Sequence, residues 1–179
     1  MSHIAYQTLD TGKRVRDHIV LRVKEARIAS GPSGKYLHIE RDIDHVSLGG
    51  VRVERTRSFV NERRTLVVSF DSSEPAGTLG YAVAVRSGCT VGDHYHHRRE
   101  ERIILVHGRA SVRLQDMRPG SPTYGLINLF ELAEPGLAVR IPTGVAHSIL
   151  AEGGVAVLQV LASAEYSPED DAHVDLSAL

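Results

Sequence analysis

The chain has 179 residues, which suits one domain, since two would each be unusually small. Hydrophobic residues at 42% and charged residues at 24% are ordinary globular values and exclude a disordered chain. Lysine plus arginine (21) against aspartate plus glutamate (22) leaves a net charge of -1, so no bulk positive field exists to capture nucleic-acid phosphates.

In chain order, the opening Met1 to Arg14 lacks the apolar stretch of a signal peptide. The first predicted strand is His18 to Val23, followed by a turn at Gly31 to Gly34 and a connection from Asp42 to Gly50. Residues 1–50 therefore read as an N-terminal arm or extra strands. Further strands are predicted over Val51 to Arg57, Leu66 to Phe70, Tyr81 to Arg86, Arg102 to His107 and Ala110 to Leu114. Leu126 to Leu132, Leu137 to Ile141, His147 to Ala151 and Val155 to Leu161 complete the set. Many short, β-branched strands with regular turn signals predict an all-β sandwich or barrel over residues 51–166. Residues 167–179, with Glu169, Asp170, Asp171 and Asp175, read as a solvated acidic tail. The single Cys89 excludes an internal disulfide, and the longest apolar stretch, Val155 to Ala162, is too short to span a membrane. Together these features predict a cytoplasmic protein without nucleic-acid or membrane partners.

The segment Gly88 to Gly108 carries the chemistry. Of the 10 histidines, four (His94, His96, His97, His107) fall inside it. His94 and His96 are two apart, so on a strand both point to one face. Alternation selects Glu101 over Glu100, because Glu101, Ile103 and Leu105 make a coherent inward face, whereas the other parity would bury Arg102. Downstream, Gly136 to His147 reads as a strand ending at a Pro142-x-Gly144 turn, after which the chain re-enters with His147. Three imidazoles and one carboxylate converging inside a barrel form a ligand set for one divalent transition metal (Zn, Fe, Mn, Ni or Co). No organic cofactor is expected.

These two segments resemble the two cupin motifs. Gly88-x5-His94-x-His96-x4-Glu101-x6-Gly108 matches the first at every fixed position, and Gly136-x5-Pro142-x-Gly144-x2-His147 matches the second up to Ala151, where Asn is usual. The resemblance implies a double-stranded β-helix, a cupin or jelly-roll barrel with the site inside. A narrower resemblance covers about Val51 to Asp175. Phe59-x-Asn61-Glu62-Arg63-x-x-Leu66 and Ala164-Glu165-Tyr166-Ser167-Pro168 are similar to cupins that act on nucleotide-diphosphate sugars. That group contains dTDP-4-dehydrorhamnose 3,5-epimerases, dTDP-4-keto-6-deoxyglucose 3,4-ketoisomerases and the metal-binding cupin domain of capsular-polysaccharide reductases.

The narrower resemblance implies an isomerase or epimerase that forms an enolate of a dTDP- or UDP-linked 4-keto-6-deoxy sugar. It implies substrate contacts from Arg63 and Glu62 and a homodimer. The base of metal-free relatives corresponds to His94, which metal ligation would occupy, leaving His97, Tyr95 or a hydroxide on the metal. Val160 and Ala164 stand where the 3,5-epimerases carry a tyrosine acid and the aspartate partner of their histidine, so that standard machinery is not expected. A metal-dependent cupin oxygenase and a non-catalytic sugar-binding cupin remain as alternatives.

Overall fold

The structure, a computed structural model, describes residues 18–21, 28–31, 34–37, 48–71 and 77–176. Alternating short segments form strands throughout. The first are β1 (His18–Leu21), β2 (Ile28–Gly31), β3 (Gly34–Leu37), β4 (Arg52–Arg55), β5 (Ser58–Val60), β6 (Thr65–Val67) and β7 (Leu79–Val85). There follow β8 (Thr90–His96), β9 (Glu101–His107), β10 (Ala110–Asp116), β11 (Ile127–Leu132), β12 (Leu137–Ile141), β13 (Val145–Ala151), β14 (Ala156–Ala162) and β15 (Asp171–His173). No helix among the described residues is long and apolar enough to cross a membrane.

Two sheets enclose the core. One runs β1-β11-β10-β13-β8-β15 and the other β4-β12-β9-β14-β7. Within these sheets only β1 on β11 is parallel among the pairings of described residues. This is the double-stranded β-helix. Period-two alternation builds the interior: β10 sends Ala110, Val112 and Leu114 inward, and β9 sends Ile103 and Leu105. They pack with Phe130, Val139, Ile149, Leu158 and Val160 in one apolar cluster.

The opposite face of the five-stranded sheet is covered too. Ile104, Ala138 and Leu161 form a second cluster against Val67, so the β5–β6 hairpin lies on the outside of the barrel. Arg102 shares that outer face, where its guanidinium meets Glu54, which also accepts from Arg140 Nε at 3.0 Å. Burying Arg102 is tolerable because it is paired there.

Three sequence expectations differ from the structure. The strand expected over Leu66 to Phe70 is shorter and starts earlier, at Thr65–Val67, as the second arm of a hairpin whose turn Asn61 closes, its Oδ1 accepting the amide N–H of Arg63 (2.9 Å) and Arg64 (3.0 Å). The arm before Val51 is partly integrated, β1 adding to β11 of the same chain; much of the expected arm lies outside the described residues. The acidic segment after Tyr166 is not a solvated tail. β15 pairs with β8, Asp170 is 2% exposed and Leu176 is fully buried. Its carboxylates are stabilised by specific donors, which composition does not reveal.

Candidate functional site

The site is assembled by four strands. β8 carries His94 and His96 on its inner face, and β13 brings His147 directly opposite His94. The ladder breaks between His147 and Ser148, where Gly92 (φ 102°) and Asp93 (φ 56°) take left-handed conformations. A Cβ on Gly92 would lie 2.6 Å from the His147 carbonyl oxygen, so only glycine permits this close approach of the two histidine-bearing strands. β9 starts at Glu101, and β15 places Asp171 opposite His96 and His173 opposite His94.

The three imidazoles converge. A donor nitrogen from each of His94, His96 and His147 lies within 4.8 Å of the other two. The Glu101 carboxylate borders two of these rings, with Oε1 3.4 Å from His96 Nε2 and Oε2 3.5 Å from His147 Nε2. Donors about 2.1 Å from a tetrahedral metal stand about 3.4 Å apart, so the two Glu101 contacts match that spacing and the three imidazoles lie within reach of one ion. The outer nitrogens of two rings are tied back: His94 Nδ1 lies 3.0 Å from the Gly92 carbonyl oxygen, and His96 Nδ1 lies 2.8 Å from Asp171 Oδ1. These contacts fix the orientation of the two rings, as second-shell partners do in metal sites, and Arg99 Nη2 also stands 3.3 Å from His96 Nε2.

Electrostatics favour the ligating forms. Burial holds His147 down at about 4, with the neighbouring imidazoles contributing, so it is neutral at pH 7. Burial, then the charge of His96, also lowers His94. Burial alone would raise Glu101, but the hydrogen bond from His96 and then the charges of His147 and Arg99 overcome it and hold its carboxyl at about 2. Neutral imidazoles and an ionised carboxylate are the states a divalent cation requires.

Several contributors were not legible beforehand. Arg99 is buried, with Nη2 3.1 Å from Asp171 Oδ1 and Nε 3.4 Å from Glu101 Oε1, and its guanidinium lies 5.7 Å from the Tyr166 ring centroid. Asp170 pins the turn joining β8 to β9: its Oδ1 accepts the Arg98 amide at 2.7 Å and its Oδ2 the Arg99 amide at 3.2 Å. Tyr81 of β7 donates its hydroxyl to Glu101 Oε1 at 3.3 Å and sits directly across from Val160. His173 places its ring centroid 6.3 Å from that of His94.

Other sequence candidates lie elsewhere. Tyr95 alternates to the opposite face of β8, and His97, just past the strand, joins it with ring centroids 5.1 Å apart. Both line a separate cavity of about 740 Å³ with Met117, Arg118 and Thr143. The structure does not bring these two candidates for the base together with the four donors, because adjacent strand residues point to opposite sides. Glu62 and Arg63 are exposed at the tip of the β5–β6 hairpin, outside the barrel.

Comparison with known proteins agrees with this architecture. Residues 61–173 match the family model described as the polysaccharide biosynthesis C-terminal domain. A dTDP-4-dehydrorhamnose 3,5-epimerase of Streptomyces griseus is 26% identical over 133 residues, covering 68% of this chain and 66% of that relative. Among solved structures, an epimerase from Mycobacterium tuberculosis superposes with a TM-score of 0.68 at 18% identity, covering 77% of this chain and 74% of its own. The dTDP-4-dehydrorhamnose 3,5-epimerase of Sulfolobus tokodaii gives 0.67 at 23% identity, over 78% of this chain and 84% of its own. The 4-keto-6-deoxy sugar epimerase NovW of Streptomyces spheroides gives 0.64 at 19% identity, over 84% and 74%.

Proposed function

For a chain that belongs to the polysaccharide biosynthesis C-terminal domain family, we propose an epimerase or isomerase of a nucleotide-diphosphate 4-keto-6-deoxy sugar. The observation that carries this reading is the convergence of His94, His96, His147 and Glu101 inside a barrel whose named relative is a sugar-nucleotide epimerase. Loss of a proton beside a ketone leaves an enolate, whose oxygen needs a positive or hydrogen-bonding partner.

His94, His96, Glu101 and His147 are the residues that would hold one divalent transition metal. Bound there, the metal supplies a Lewis acid for a ketone oxygen, worth several kcal/mol of charge stabilisation. The chain's own part is orientation. Asp171 fixes the His96 ring, the Gly92 carbonyl fixes His94, and Asp170 fixes the turn that sets Glu101 beside them. Burial of His96, Glu101 and His147 keeps bulk water from the donors. Arg63 is the proposed partner of the substrate's diphosphate, since its guanidinium fork suits phosphate oxygens and the hairpin leaves it exposed. We also expect a homodimer, which light scattering reads as twice the chain mass; a monomer at micromolar concentration refutes it.

A second reading has its own observation. The 2.8 Å contact between His96 Nδ1 and Asp171 Oδ1 is the arrangement in which a carboxylate orients an imidazole whose Nε2 takes a proton. In that case His96 is a base and no metal is needed.

Elemental analysis of protein purified without added metal separates the two. The first reading expects one transition metal per chain, lost in His96→Ala and His147→Ala. Metal-free wild type with full, chelator-insensitive activity favours the second.

A further inference from the structure

Three of the four residues are largely sealed, His96, Glu101 and His147 being 3%, 4% and 3% exposed, while His94 is half-buried. A ligand arriving from solvent therefore meets His94 and the partly exposed side chains that touch the sealed three. Tyr81 is one of them. It is 40% exposed, yet its hydroxyl reaches inward to Glu101 Oε1. It stands on β7, an edge strand of the five-stranded sheet, and its cross-strand neighbour Val160 offers no polar side-chain atom.

The bond from Tyr81 to Glu101 is long. At 3.3 Å it exceeds the O–H···O distance of about 2.7–2.8 Å that marks a strong one. Glu101 shares its oxygens among three further partners at similar distances, His96 and Arg99 at 3.4 Å and His147 at 3.5 Å, so it keeps its partners if the phenol turns to another acceptor. A tyrosine phenol has an ordinary pKa of about 10. The hydroxyl keeps its proton and remains a donor at neutral pH.

We propose that Tyr81 is a catalytic residue that touches the substrate, its hydroxyl turning from Glu101 to donate a hydrogen bond to a ketone or hydroxyl oxygen of a sugar that reaches it. No proton leaves the phenol in this role. The donor strengthens as its acceptor oxygen gains charge, which is where a preorganised hydrogen bond lowers a barrier. This inference rests on the epimerase reading above.

Tyr81→Phe removes the hydroxyl and nothing else. The assay follows deuterium uptake from D2O beside the ketone of a dTDP- or UDP-4-keto-6-deoxy sugar, with metal content and thermal midpoint measured on the same samples. The variant is expected to lose about a hundredfold in kcat, with KM within about threefold and with metal content and midpoint unchanged. Wild-type kcat in the variant overturns the inference alone. So does a variant that loses its metal, since Tyr81 then serves only to hold Glu101. Wild type that exchanges no proton with either sugar removes the epimerase reading and this inference with it, and that control tells the two failures apart.

Discussion

Replacing Asp170 by Asn tests how the C-terminal segment supports the site. Asp170 is 2% exposed, and its two oxygens accept the backbone N–H groups of Arg98 at 2.7 Å and Arg99 at 3.2 Å. Asparagine keeps one acceptor oxygen and turns an NH2 toward the other amide. One charge-assisted bond is lost and one buried N–H left unmatched, which costs about 2–3 kcal/mol. For a chain of this size each kcal/mol moves the midpoint by about 2–4 °C, so Asp170→Asn should melt about 5–10 °C lower at pH 7. Burial opposes ionisation of Asp170, but the two amides outweigh it and lower its carboxyl below the ordinary 3.8. A lowered folded value gives stability that is present above the unfolded pKa and lost as pH falls through the folded one. The gap between variant and wild type should therefore narrow below about pH 4. The pinned turn also sets Glu101 beside His96, so metal affinity should fall at least about tenfold. Thermal denaturation of metal-free protein across pH, followed by circular dichroism, reads the first effect, and metal titration reads the second. A midpoint within a degree or two of wild type, or a deficit that does not change with pH, refutes the reasoning.

Gly92→Ala should be among the most damaging single-methyl changes, because φ is 102° there and the new Cβ would stand 2.6 Å from the His147 carbonyl oxygen. Lower metal content with a lower melting midpoint is expected, and wild-type values for both would contradict the bulge's role. Arg63→Ala should weaken dTDP or UDP binding by roughly ten- to a hundredfold in calorimetric titration, as loss of one charge-assisted pair does. Metal content should not change, since Arg63 lies at the hairpin tip outside the donor set; undiminished nucleotide affinity would remove it from the site.

The barrel, the shared face of His94 and His96 and the inward turn of Glu101 were legible because they rest on period-two alternation. The same rule that turns Glu101 inward puts Arg102 on the outer face beside Glu54. It also places Tyr95 opposite to His94, a consequence of alternation that proximity in sequence obscures. Asp171 and Tyr81 were not legible, since each meets the site through cross-strand register between segments far apart in the chain, and Arg99 was not, since an arginine in the turn before Glu101 carries no local sign of burial. In particular, Tyr81 faces Val160 across β7 and β14, a pairing that no local pattern announces. The acidic residues after Tyr166 misled for a physical reason. Charge composition predicts solvation, but Asp170 is buried against two amide donors and the half-buried Asp171 is held by His96 and Arg99.

The proposed activity is tested most directly by incubating the purified wild-type chain in D2O with a dTDP- or UDP-4-keto-6-deoxy sugar and following the ring protons beside the ketone by NMR. The account predicts that at least one of those signals disappears at a rate proportional to protein and that a metal chelator stops the loss. Unchanged signals with both sugars, in protein that carries its metal, would contradict it.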